Sequence, residues 1–228
     1  MSTLSHSTEE AKTSPATSRP VADSRTRLLE AMIGAIWERS YGAASVEAIC
    51  ERADVRKGTF YHFFKSKAAL AMAAIEHLWE TRSQPALEEI FAETRPPLKR
   101  FERLIEYWYQ RTVECKEEKG RVLGCPYFNL GAETASVEPE LAAKVRGFLD
   151  RYQSQLEASL EEAKQSGEIH ITDSAETAGS LFSLIEGCSM QARIHDDPER
   201  VRHFSDAFGR VIGAPLSPEF AAAPHPTR

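Results

Sequence analysis

An all-α fold is what this chain predicts, on three observations. Apolar residues recur three and four positions apart over nearly its whole length, as in Leu28, Leu29, Met32, Ile33 and Ile36, which places them on one helix face. No segment alternates apolar and polar residues as a half-buried strand would. The breaks between periodic runs carry the Gly, Pro, Ser and Asp residues that begin or end helices. The 228 residues suffice for one or two domains and a substantial core. The pattern divides them into an N-terminal three-helix head over 24–72 and a helical body over 73–213. Flexible tails are expected at 1–23 and 214–228, and about nine helices in all.

Residues 1–23 are rich in Ser, Thr and Pro and lack the apolar core of a signal peptide. A first helix carries Leu28 to Trp37 and stops at Gly42. Ser45 can cap a second helix through its hydroxyl, with Val46, Ile49 and Cys50 on one face. Ala53-Asp54-Val55 is a turn in which Asp54 is expected to be left-handed, a geometry Asp tolerates better than most residues. A third helix runs from about Arg56 to Phe63, anchored by Phe60, Phe63 and Phe64. A fourth starts at Ser66, carries Leu70, Ala74 and Leu78, and is kinked or ended by Pro85. After the Arg95-Pro96-Pro97 break, Leu98, Phe101, Leu104, Ile105, Trp108 and Val113 recur at helical spacing as far as Gly120. Gly124-Cys125-Pro126 opens a short helix through Glu133. Pro139 opens a long one ending at Gly167, Asp173 with Glu176 starts the next, and Asp197-Pro198 starts the last, which ends near Gly213.

The second and third helices form a helix-turn-helix, a pair whose second member enters the DNA major groove. Its outward residues are cations and hydroxyls. Arg56 is the first candidate for a bidentate contact to guanine and Lys57 the second. Thr59, Tyr61, His62 and Lys67 suit phosphate contacts, Arg25 and Ser45 complete the DNA-binding set, and Gly58 leaves room for close approach. The total charge of −6 is unevenly spread: residues 24–72 carry +3, residues 1–23 carry −1 and the remainder −8. A basic head on an acidic body fits a protein that places only its head on DNA. Cys50, Cys115, Cys125 and Cys188 form no CxxC pair and no His clusters with them, so neither a zinc site nor a disulfide framework is expected, and no cofactor. A reducing cytoplasm is the natural setting. No apolar run reaches the roughly twenty residues that span a bilayer.

The run Lys57-Gly-Thr-Phe-Tyr-His-Phe-Phe-Lys-Ser-Lys67 resembles the signature of the TetR family of transcriptional regulators. The likeness extends upstream through Arg27–Ala31 and the Gly42 turn and downstream through Leu70, covering roughly residues 24–72. Two positions depart from it: the family usually has Gly where Asp54 stands and a small hydroxyl residue where Arg56 stands. The second departure removes a helix cap and puts a cation near the bases.

The resemblance implies a homodimer in which the last two long helices, carrying Leu181, Phe182, Ile185, Cys188 and Ala192, then Val201, Phe204, Phe208 and Val211, pack on their copies as a four-helix bundle. Two heads would then meet successive major grooves of a palindromic operator, roughly 34–36 Å apart. It also implies a small-molecule effector among the middle helices that releases the DNA, and repression as the usual output. Tyr107, Trp108, Cys125, Phe128, Asn129 and Glu133 are the candidate effector-binding residues.

Cys125 stands at a helix start, where the dipole would lower the thiol pKa. Its Gly-Cys segment, followed by Asn-Leu-Gly-x-Glu, resembles a subset that includes sensors of reactive electrophiles and small unsaturated acids. Redox or electrophile sensing through Cys125 is therefore the alternative to reversible ligand binding, and a small buried filler is the alternative role of the residue. An enzyme using Cys125 or Cys115 as nucleophile would need a base, and no His stands near either in sequence. A helical adaptor that binds protein with its head is disfavoured by the clustering of Lys, Arg, Thr and Tyr from Arg56 to Lys67.

Overall fold

The computed structural model describes residues 21–220, and among them every regular element is helical. The head comprises α1 (Val21–Glu38), α2 (Val46–Arg52) and α3 (Lys57–Phe63). The body comprises α4 (Lys67–Leu78), α5 (Gln84–Ile90), α6 (Pro97–Lys119), α7 (Pro126–Thr134), α8 (Pro139–Gln165), α9 (Ser174–His195), α10 (Glu199–Arg202) and α11 (Phe204–Ile212). A π-helical turn, Trp79–Ser83, joins α4 to α5. Taking α4 to α5 as one bent rod and α10 to α11 as another recovers the nine helices read from the pattern.

Local chemistry explains the head. The Ser45 hydroxyl accepts from the Ala48 N–H at 3.1 Å, and the Ser66 hydroxyl accepts from the Ala69 N–H at 3.0 Å, so both helices start where their caps stand. Asp54 takes the left-handed conformation expected of it, with φ of 51°. The Arg27 guanidinium supports this turn by donating to the Ala53 carbonyl at 2.7 Å and the Asp54 carbonyl at 2.9 Å. Arg56 occupies the cap of α3 and makes no side-chain cap bond, so this helix starts without the hydroxyl the family usually supplies. Leu28, Met32, Ile49, Phe60 and Leu70 are fully buried together, and this core runs without a break into that of the body.

Pro85 does not end the helical rod, which runs on to Ile90. The π-turn upstream shifts the register so that Pro85 falls in the first turn of α5, where its missing N–H costs nothing. In the body, Leu181, Ile185, Phe204 and Phe208 face the chain's own core, against Phe101 among others. The residues they leave outward on α9 and α11 are different: Leu184 and Cys188 are half-buried, and Ile194 and Val211 are exposed.

Residues 214–220, read as part of a loose tail, lie on the body instead. The Ser217 N–H donates to Glu102 at 3.0 Å, the Glu219 N–H donates to Glu106 at 2.6 Å, and Phe220 packs edge-on against Tyr109 with 5.0 Å between ring centres. Gly209 makes the fold-back possible, because a Cβ there would stand 2.8 Å from the Ala214 carbonyl. Two isolated apolar residues, Leu216 and Phe220, hold this segment, and two residues carry no periodicity to read. Residues 1–20 and 221–228, including Arg19, lie outside the described residues. No helix among the described residues is long and apolar enough to cross a membrane.

The left-handed turn generates a test. Asp54→Ala should lower the unfolding free energy by about 1 kcal/mol, and Asp54→Gly should stay within about 0.5 kcal/mol of the parent, since only glycine enters this region freely. Denaturant titration checks both.

Candidate DNA-reading face and effector cavity

Helix α3 turns Phe60 and Phe64 inward and leaves one polar face. Phe60 is 0 % exposed and Tyr61, the next residue, is 53 % exposed. Arg56, Lys57, Gly58 and His62 are exposed beside Tyr61, and Thr59 is half-buried. A Cβ at Gly58 would meet nothing within 4 Å, so this flank of the helix is open to an approaching backbone. Lys57 pairs with Glu47 of α2, whose carboxyl that ammonium holds below its ordinary pKa. Arg25, exposed on α1, lies over the Phe64 ring at 5.7 Å. The Ser45 hydroxyl is taken by its cap. Lys67 is less available than the sequence implied: its ammonium donates to the Tyr41 carbonyl at 3.0 Å and sits 4.2 Å from the Tyr41 ring centre. It fastens α4 to the loop after α1.

Behind the head lies a cavity of about 580 Å³, enclosed by α1, the α4–α5 rod, α6, the start of α7, α8 and α9. Tyr107, Trp108 and Cys125 line it, as the sequence reading expected. Phe128, Asn129 and Glu133 are not on its wall. Asn129 donates to the Leu123 carbonyl at 3.2 Å, and Phe128 is half-buried with its N–H directed to the Cys125 sulfur at 3.5 Å. Glu133 faces the head, where its carboxylate accepts from the Tyr41 N–H at 2.8 Å and the Gly42 N–H at 2.6 Å. Asn129 and Glu133 stand four apart and share a face of α7. Helical spacing showed that much, but not which way the face would look.

Several wall residues escaped the sequence reading. Trp37 belongs to the head, yet it lines the cavity and its indole N–H donates to the Gly124 carbonyl at 2.7 Å. Tyr152 accepts from the Trp108 indole N–H at 2.7 Å, and the Tyr127 hydroxyl meets the Ser83 hydroxyl at 3.0 Å. Glu186 is 4 % exposed on α9, directly after the buried Ile185 and four positions after the half-buried cavity residue Phe182. An acid set inside an apolar helical stripe was a legible signal for it.

The electrostatics correct the reading of Cys125. It does cap α7 and does receive the Phe128 N–H, but burial pushes its thiol pKa well above the ordinary value, and the nearby Glu186 carboxyl pushes it further. Desolvation outweighs the helix dipole, so the residue is a thiol rather than a thiolate at neutral pH. Burial likewise raises Glu186 to about 7, only partly opposed by the hydrogen bond from Cys125. Tyr152 is also pushed up by burial. Among the described residues no group of three or more His, Cys, Asp or Glu is placed to hold a metal ion.

A buried acid with a raised pKa weakens the fold as it ionises. The unfolded carboxyl loses its proton near its ordinary pKa of 4.5 and the folded one near 7, so stability falls as pH rises between the two and stays reduced above. Glu186→Gln cannot ionise. Its stability advantage over the parent should grow across that window and reach up to about 3 kcal/mol at pH 8. Denaturation of both proteins at pH 5 and pH 8 measures it.

Comparison with known proteins identifies the family. The model for bacterial regulatory proteins of the tetR family matches residues 28–74, and the model for the tetracyclin repressor-like C-terminal domain matches residues 97–208. The chain is 28% identical over 185 residues to the transcriptional regulator AcuR of Cereibacter sphaeroides, covering 80% of this chain and 82% of that protein. It is 26% identical over 198 residues to the HTH-type transcriptional repressor NemR of Escherichia coli, covering 85% of this chain and 96% of that one. Its fold matches the crystal structure of regulatory protein TetR from Rhodobacter sphaeroides with a TM-score of 0.73 at 27% identity, over 82% of this chain and 98% of that one. The chain belongs to the TetR family of DNA-binding transcriptional regulators.

Proposed function

We propose that this regulator represses transcription as a homodimer, that its two α3 faces hold a palindromic operator, and that a small molecule in the cavity releases it. One observation carries the effector half of this reading: the cavity and the reading head share a wall. Trp37 belongs to both, and the segment from Gly124 to Glu133 is bonded to α1 at one end and to the loop after α1 at the other. A ligand that moves Gly124 or Cys125 therefore pulls on the head directly. It shifts the DNA-binding equilibrium only by its differential affinity for the two arrangements. Electrophile sensing through Cys125 gains no support from a buried, protonated thiol.

The outward face of α9 and α11 supports the dimer. Ile194 is 66 % exposed and Val211 39 %, and Leu184 and Cys188 on α9 are only half-buried, so apolar surface remains after the chain has built its own core. Pairing this face with its copy would cover that surface and set the two heads on one side of a duplex.

Selection of bound fragments from genomic DNA, followed by small-molecule release in a gel shift, tests the whole reading; indifference among fragments at moderate salt refutes it. Arg56→Ala should cost about 1–3 kcal/mol on the operator and relax base choice at one position of each half-site. Equal losses on operator and random DNA would show that Arg56 reads no base. Glu133→Ala should lower unfolding free energy by about 1–3 kcal/mol, because it leaves the part-buried Tyr41 amide without its acceptor, while the exposed Gly42 amide can turn to water. It should also speed hydrogen exchange at Tyr41 and Gly42, and unchanged protection there would remove α7 from the coupling path.

A further inference from the structure

Glu186 has an environment that the reading above does not use. It lies on the cavity wall at 4 % exposure, and its bonded neighbour is the Cys125 thiol. Among the described residues no Lys, Arg or His side chain pairs with it. The two cations on the same cavity wall are committed elsewhere: Arg82 pairs with Glu30 at 2.8 Å and Arg111 with Glu114 at 2.7 Å. A carboxylate removed from water without a counter-charge is costly, and such groups persist where a ligand completes them. Aromatic rings share the wall with it, among them Trp79, Trp108, Tyr107, Tyr152 and Phe182, and ring faces attract cations.

Resting on the reading of this cavity as the effector site, we propose that the effector is a small organic cation whose ammonium or amidinium N–H group pairs with the Glu186 carboxylate while its apolar remainder lies among the rings. The cavity's 580 Å³ is of the size that takes a compact drug-like molecule. The cation would supply the charge the protein withholds, and the N–H donors would satisfy the lone pairs left open beside the Cys125 thiol. The opposite arrangement, a protonated Glu186 donating to a carbonyl or carboxylate ligand, uses the same atoms with the reverse polarity.

Three probes of one shape separate the two: 2-phenylethylamine, 2-phenylethanol and 3-phenylpropionate. Each is titrated into the full-length protein at pH 8 by calorimetry and by quenching of tryptophan fluorescence. The amine should bind at least about tenfold tighter than the alcohol, as a charge-assisted hydrogen bond in a desolvated site requires. Glu186→Gln should bring the two within about threefold, and Glu157→Gln, an exposed carboxyl on α8, should leave the preference intact.

A second measurement needs no variant. As pH falls below about 7 the amine should lose up to about tenfold in affinity per unit while the alcohol stays level. The other thiol and phenol groups on this wall, Cys115 and Tyr107 on α6, Cys125 before α7, Tyr127 on α7 and Tyr152 on α8, all have raised pKa values and remain neutral over that range. The other charged groups that share the wall are Arg82, Arg111 and Glu118. Alcohol or propionate binding as tightly as the amine overturns the proposal and leaves the cavity reading standing. Absence of binding by all three overturns both.

Discussion

Two backbone amides, those of Tyr41 and Gly42, are what the rest of the structure turns on. They lie in the loop between α1 and the reading pair, and their acceptor is a carboxylate that the chain delivers from α7, Glu133. The Tyr41 amide is part-buried and needs a partner, and without Glu133 this end of the loop would have to find another or open to water; the Gly42 amide is at the surface. The same short segment of body holds α1 a second time, where the Trp37 indole donates to Gly124. Gly42 lets the Glu133 carboxylate come close: a Cβ there would stand 2.8 Å from its oxygen and would push the side chain aside. Two attachments at the end of one helix leave little freedom for the head to rotate on the body. A displacement at the mouth of α7 thus reaches α1 without passing through the long α4–α5 rod.

That geometry gives meaning to the chemistry behind it. The cavity lies on the far side of Trp37, and its wall contains a desolvated acid that the protein could have stabilised with a cation and does not. A fold optimised for stability alone would replace Glu186 with an apolar or amide side chain. The cost falls on α9, one of the two helices with apolar residues left outward, so occupancy at Glu186 and the packing of that outer face involve the same element. Cys125 joins the two systems, because its sulfur accepts from α7 and interacts with Glu186 of α9.

The parts legible in the sequence were those decided by local chemistry. Ser45 and Ser66 cap helices because a hydroxyl before an apolar run has few other uses, and Asp54 is left-handed because the turn demands it. The cavity was only half legible. Tyr107 and Trp108 announced themselves as an aromatic cluster on α6, but Trp37, Tyr152 and Glu186 come together from three other helices, and their meeting depends on packing that periodicity does not encode. Glu133 was assigned to the right helix and the wrong side. Of the two roles the sequence left open for Cys125, the thiolate activated by a helix dipole holds for a solvated cap and fails for a buried one, and burial favours the small filler.

The charge distribution closes the mechanism. The chain carries −6 in all, with the positive excess confined to the head, so bulk attraction to DNA is weak and the body repels it. Within the head, Lys57 is already paired with Glu47. Both partners are exposed, so exchanging that carboxylate for a phosphate costs little and also gains little. Arg56 differs: it stands at the start of α3 with no side-chain cap bond to break before it meets a base edge. Affinity must then come from a few placed contacts made twice, which a dimer of fixed spacing provides and a tilted one does not. With Lys57 and Lys67 already engaged, each head offers few ready cations, Arg56 and Arg25 among them. On the proposed reading, a ligand that shifted α1 through Trp37 and Glu133 would misplace those contacts in both heads at once.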